Sequence, residues 1–120
     1  FCSSSGIPIL VGRNNLQNDR LTLKTAEGND LWLHAKNMAG SHVIVDCDGM
    51  PDDQTLLEAA TLAAYYSKGQ SAPLVAVDYT ARKNVKKPAS ARPGMVVYQT
   101  NHTIHVAPDR LLVQSLQAPR

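Results

Sequence analysis

The sequence predicts an α+β domain: a mostly antiparallel sheet packed by two helices. Three observations lead there. Residues 30–36 alternate strictly, with Leu31, Leu33 and Ala35 against Asp30, Trp32, His34 and Lys36, the period of a strand with one core face. Residues 53–68 carry Leu56, Leu57, Ala59, Ala60, Leu62, Ala63 and Ala64 around much of a helical circumference, so this helix is largely buried. Two short apolar runs, 95–99 and 103–107, are separated by turn chemistry near Thr100 and Asn101 and read as a hairpin.

The elements follow in order. Residues 7–12 form a short strand, and Pro8 near its start places it at an edge or a strand beginning. After the polar turn at Arg13, Asn14 and Asn15, residues 16–26 fit two patterns. Leu21, Leu23 and Thr25 alternate like a strand, while Leu16, Arg20, Leu21 and Lys24 suit a helix. The helix is favoured, capped by Asn15 or Asn18 and closed by Gly28. The strand over 30–36 turns through residues 37–41 and returns over 42–47.

The apolar pattern chooses the register of that pair. With Val43 and Val45 on the core face, Lys36 lies opposite His42, His34 opposite Ile44, and Trp32 opposite Asp46. Trp32, His34, Lys36 and His42 then share the other face. The long helix is capped by Asp52 or Asp53, runs to Lys68 and closes at Gly69. Residues 73–79 form a strand. Residues 80–93 have no period and hold two prolines, so they read as an exposed loop or arm. Leu111, Leu112 and Val113 add a last strand or pack loosely.

Composition bounds the function. The chain has 120 residues, 43% of them apolar and 18% charged, which suits one folded domain rather than a disordered tail. The longest strongly apolar stretch, residues 56–64, contains Glu58, whereas a membrane helix needs about 20 apolar residues. Neither a membrane partner nor a signal peptide is expected. The chain does not begin with Met, and it is expected to be a piece of a longer, cytoplasmic protein. Cys2 and Cys47 are too few for a disulfide scaffold; free thiols are the first expectation and a single pairing the second.

The net charge of +2 hides a split. Arg82, Lys83, Lys86, Lys87 and Arg92 put five positive charges into eleven residues with no acid among them. The rest of the chain holds seven basic and ten acidic side chains. A clustered basic segment suits a polyphosphate partner, because each phosphate contact releases counterions. The plain alternative is a solvated loop. Trp32 can stack on an unpaired base while His34, Lys36 and His42 reach phosphate or base edges. Equally, the helices can cover that face and leave Trp32 in the core with His34 hydrogen-bonded.

Catalysis is not expected. His102 and His105 are three apart and fall on opposite faces of a strand. His34 and His42, with Asp46, supply too few ligands for zinc, so no metal or other cofactor is expected. Ser41 and His42 could be drawn into a triad with Asp30 or Asp46, yet no nucleophile-elbow motif supports one. No glycine-rich phosphate loop occurs.

Eight phrases in order carry a resemblance. They are Ile9-Leu10-Val11-Gly12-Arg13-Asn14-Asn15; Gln17-Asn18-Asp19 with Leu21-Thr22; Asp30-Leu31-Trp32-Leu33-His34-Ala35-Lys36; and Gly40-Ser41-His42-Val43. Then come Ala63-Ala64-Tyr65-Tyr66-Ser67-Lys68; Val77-Asp78-Tyr79-Thr80; Lys83-Asn84-Val85-Lys86-Lys87-Pro88; and Arg92-Pro93-Gly94-Met95-Val96. This order resembles the NFACT-R domain, the RNA-binding region near the C-terminus of the RqcH/FbpA/NEMF family, from about residue 6 to residue 108. Ser5 and Ala89-Ser90-Ala91 depart from it, where the family often has an acid and a glycine.

The resemblance implies a bacterial, cytoplasmic factor of ribosome-associated quality control. Such proteins bind large ribosomal subunits (rRNA) obstructed by peptidyl-tRNA, recruit tRNA, and direct C-terminal alanine tailing. An isolated domain of this kind binds RNA or the ribosome and does not elongate a tail. The family was also named for fibronectin or fibrinogen binding, so a protein-binding module, docking on a ribosomal protein or on extracellular matrix, is the rival reading. The expected RNA-binding residues are Arg13, Asn15 and Asn18 at the border, Trp32, His34, Lys36 and His42 on the floor, and Lys83, Lys86 and Lys87 on phosphate. Asp78 and Tyr79 are expected to shape the loop or simply to end a strand.

Overall fold

A computed structural model describes residues 1–99 and 101–117. Five strands form the main sheet: β1 (Ile9–Val11), β2 (Leu31–Ala35), β3 (Val43–Val45), β4 (Val75–Ala81) and β7 (His102–Val106). Their order is β1-β3-β2-β4-β7, with every neighbouring pair antiparallel. Two further strands, β5 (Val85–Lys86) and β6 (Val97–Tyr98), pair with each other outside that sheet. The α+β class and the edge position of the first strand follow the sequence pattern.

The sheet is covered on both sides. Helix α2 (Asp53–Tyr65) and the short helix α3 (Arg110–Ser115) pack on one face, where Leu31, Leu33, Val43, Val45, Val75 and Val77 meet Leu62 and Val113. Ala59, Ala60, Ala63 and Ala64 are fully buried in α2 and let its backbone approach the strands closely. Helix α1 (Asn15–Arg20) continues through a π turn (Leu21–Thr25) toward the other face. There Trp32, Ile44 and Val85 form a second, smaller core with Leu21, Ala26, Val96 and Tyr98.

Several expectations are corrected. The cap of α1 is Asn14, whose side chain accepts from the Gln17 N–H, and the helical run ends at Thr25, ahead of Gly28. Helix α2 starts on Asp52 as its cap but stops at Tyr65, so Lys68 and Gly69 lie beyond it. The predicted hairpin does not form: β6 pairs with β5, and β7 pairs with β4. Thr100, half of its proposed turn, lies outside the described residues. Residues 111–113 are helical, started by the Asp109 carboxylate on the Leu111 and Leu112 N–H groups.

The register of β2 and β3 is two residues away from the predicted one. Trp32 lies opposite Ile44 and Leu33 opposite Val43. A slip of two preserves the faces, so His42 stays on the Trp32 side. It also brings the His34 and His42 rings to 5.4 Å, edge to face. The cause lies outside the hairpin. Its connection is drawn to the end of α2, where Ser41 N–H donates to Tyr66 O and Lys68 N–H to Ala39 O, both at 3.0 Å.

The basic segment is not a free arm. Arg82, Lys83 and Asn84 make a 3₁₀ turn, and Val85 is inserted into the second core at 1% exposure. The Arg82 guanidinium donates to the carbonyls of Thr22 and Val85, which ties the segment to the π turn.

Candidate nucleic-acid interface

Beside this second core the structure opens a cleft of about 690 Å³. Its floor comes from Trp32 and His34 of β2 and from His42, just ahead of β3, and its rim from residues 92–96 and Tyr98. Asn15, Asn18 and Gly40 form the opposite wall. Five of the ten sequence-predicted residues therefore meet here: Asn15, Asn18, Trp32, His34 and His42.

They do not all face outward. Trp32 is fully buried, with the Tyr98 ring centroid 4.7 Å from its own and His34 stacked at 5.8 Å. It supports the floor and offers no free face to a base, which corrects the stacking expectation in favour of the core reading. Asn18 is 3% exposed; its Oδ1 accepts from the His42 N–H at 3.0 Å, and its Nδ2 donates to Gly40 O at 3.4 Å. It holds the β2–β3 connection against α1.

His42 is 1% exposed and joins three elements. The Gly94 carbonyl lies 3.2 Å from Nε2 and can only accept, so Nε2 carries the hydrogen. Nδ1 then accepts from the Thr22 hydroxyl at 2.7 Å. Burial, with His34 beside it, pushes the His42 pKa down to about 4, so the ring is neutral and cannot serve as a cation for phosphate. Burial lowers the half-buried His34 as well, against the pull of nearby carbonyls and Asp78. His34 remains a cleft-lining neutral ring.

The cations divide into two groups. Lys36 pairs with Asp78 at 3.3 Å, and Lys87 with Asp19 at 3.1 Å. Lys87 also donates to the Arg92 carbonyl at 2.7 Å, while Asp19 accepts the Gly94 N–H at 2.8 Å. Burial would raise the Asp19 pKa, but the Gly94 N–H and Lys87 outweigh it and hold the carboxylate ionised below its ordinary value. Lys87 thus fixes the cleft rim. Arg13, Lys83 and Lys86, by contrast, are exposed and have no acidic partner among the described residues. Lys83 and Lys86 line an adjoining recess of about 460 Å³ that shares Tyr98 with the cleft.

The least legible site residue is Tyr98. Its hydroxyl donates to Asp78 at 2.7 Å, and Thr103 and Lys36 donate to the same carboxylate at 2.7 and 3.3 Å. Burial would raise Asp78, yet these three donors hold it below the ordinary carboxylate value. Burial and that carboxylate in turn push the Tyr98 phenol up. Asp78 is therefore the anchor of the site's far wall. Nothing in the local pattern of residues 95–99 signals this, because its partner is twenty positions away.

No helix is long and apolar enough to cross a membrane, and no group of three or more His, Cys, Asp or Glu among the described residues could hold a metal ion. Residues 1–100 match the family described as the NFACT protein RNA binding domain. The chain is similar to the Rqc2 homolog RqcH of Bacillus subtilis, at 51% identity over 89% of this chain and 19% of that protein. It is also similar to the Rqc2 homolog RqcH of Streptococcus suis, at 44% identity over 91% and 20%. The chain thus spans about a fifth of the curated relatives it matches. A solved structure of the C-terminal part of a fibronectin/fibrinogen-binding protein from Streptococcus suis superposes with a TM-score of 0.94 at 42% identity, covering 98% of this chain and 47% of that one. This chain belongs to the NFACT protein RNA binding domain family.

Proposed function

We propose that the domain binds single-stranded RNA along the cleft rim and that the protein containing it acts in ribosome-associated quality control. One observation carries the RNA part. Lys83 and Lys86 stand exposed, without an acidic partner among the described residues, on a segment that Val85 and Arg82 anchor to the body. An anchored backbone loses little freedom when the lysines it carries meet phosphates, so such a segment suits a nucleic-acid backbone. The partly apolar cleft next to it, with Arg92 on its rim, suits an unstacked base, with His34 and Tyr98 as ring contacts.

The larger role rests on the relatives' names. In this reading the whole protein is cytoplasmic, binds large ribosomal subunits obstructed by peptidyl-tRNA, engages tRNA and supports C-terminal alanine tailing. This domain supplies an RNA contact and no catalytic group. Crosslinking of the full-length protein on obstructed large subunits tests it: crosslinks from the region of Lys83 and Lys86 fall on RNA. Crosslinks confined to a ribosomal protein would overturn the RNA reading. The name of the solved Streptococcus suis relative favours a second reading, a matrix-protein contact, which binding to fibronectin at high salt would support.

A further inference from the structure

A second cleft, of about 420 Å³, lies on the other side of the wall formed by Asn15, Asn18, Ala39 and Gly40, since those four residues line both clefts. Its volume falls in the range of small-ligand sites, roughly 300–1,000 Å³. No carboxylate lines it; its charged side chains are Arg13 and Lys68. The Arg13 guanidinium lies 4.3 Å above the Tyr66 ring and 5.7 Å from the Phe1 ring, and its Nη2 donates to the Tyr66 hydroxyl at 3.3 Å. The Arg13 N–H is held by Gln17 Oε1 at 2.9 Å. Among the described residues no acid pairs with Arg13 or Lys68.

We infer that this cleft takes a phosphate of the bound RNA strand, gripped by Arg13 and Lys68, with Tyr66 as the platform that fixes the guanidinium. The inference rests on the RNA-binding reading above. A stacked guanidinium is already oriented, and its free N–H groups form a planar fork that matches phosphate oxygens. Because the two clefts share a wall, a strand whose base enters the central cleft passes its neighbouring phosphate here. Gly40 lets this wall pack closely on the residues after α2: a Cβ on it would lie 3.1 Å from the Ser67 Cβ. Nothing in the spacing of Arg13, Tyr66 and Lys68 reveals the grouping, which arises where the β2–β3 connection meets the end of α2.

Binding of a short fluorescent single-stranded oligoribonucleotide, titrated over a salt series, tests it. The variant carrying Arg13→Gln and Lys68→Gln binds about tenfold more weakly, and its log-affinity against log-salt slope is shallower by about 0.7, the share of one phosphate. Arg13→Lys keeps the charge and loses the stacked fork, so affinity falls while the slope stays. Both side chains replaced in this way are exposed, and a wild-type thermal transition confirms the fold. Wild-type affinity and slope in the double variant, with weakened binding in Lys83→Gln/Lys86→Gln, overturns this cleft and leaves the RNA reading standing. No RNA binding by the unaltered chain overturns both. Loss of acidic-peptide binding, with RNA binding intact, makes the cleft a protein contact and likewise overturns the inference.

Discussion

Tyr98 donates its phenolic hydrogen to Asp78 at 2.7 Å while its ring lies 4.7 Å from that of Trp32. One side chain thus closes the second core and fastens the cleft rim to strand β4. Tyr98→Phe keeps the ring and removes the donor. The loss is about 1–2 kcal/mol, because Asp78 retains Thr103 and Lys36. Urea unfolding measures it. RNA affinity falls with the rim's position, while its salt slope does not change.

Lys87, paired with Asp19, separates from Lys83 and Lys86, which have no acidic partner among the described residues. Lys83→Ala and Lys86→Ala each make the salt slope shallower by about 0.7 and leave the unfolding midpoint in place. Lys87→Ala does the reverse. It leaves Asp19 with the Gly94 N–H alone, lowers stability by up to about 1 kcal/mol and barely moves the slope. Salt-series titrations together with urea melts distinguish the two classes.

Acid acts in two stages. The folded-state pKa of His42 is about 4, below its ordinary 6.5, so the unfolded chain takes up a proton first as pH falls. Stability is full above pH 6.5 and declines toward pH 4, by up to about 3 kcal/mol. His34 adds to the decline in the same direction. Asp78 has a lowered pKa, so its contribution is present above its ordinary 3.8 and is lost as pH falls through the folded value. Urea midpoints from pH 7.5 to 3 show both stages, and Asp78→Asn, itself less stable, weakens the second while steepening the His34 part of the first.

Gly94 combines a left-handed φ of +85° with crowding, since a Cβ there would lie 2.8 Å from Asn15 Oδ1. Gly94→Ala costs more than about 1 kcal/mol and disturbs both the His42 and the Asp19 contacts. A thermal melt reads the first effect, and the His42 ring resonances read the second.

The parts of this fold that were legible are those set by local periodicity. Alternation in β2 placed Leu31, Leu33 and Ala35 on the core face, and the alanines of α2 marked a buried helix. The parity of β3 was right while its register was two off, because Ser41 and Ala39 bond to the end of α2 some 25–29 positions away. The same reason hid the fate of residues 80–98. A single buried valine, Val85, and one long-range hydroxyl, that of Tyr98, turn the stretch without period over 80–93 and the short strand after it into the cover of a second core. In the site, composition located the basic cluster but could not divide it. Which lysines are free depends on Asp19 and Asp78, far away in sequence and close in space.

In the proposed reading Lys83 and Lys86, exposed and without an acidic partner among the described residues, grip an RNA backbone. It is tested most directly by the salt dependence of affinity for single-stranded RNA in the unaltered chain and in Lys83→Gln/Lys86→Gln. With three to five phosphates engaged, the unaltered chain gives a log–log slope of roughly −2 to −3.5, and the double variant one shallower by about 1.4. A salt-independent affinity, or the same slope in both proteins, would contradict the account.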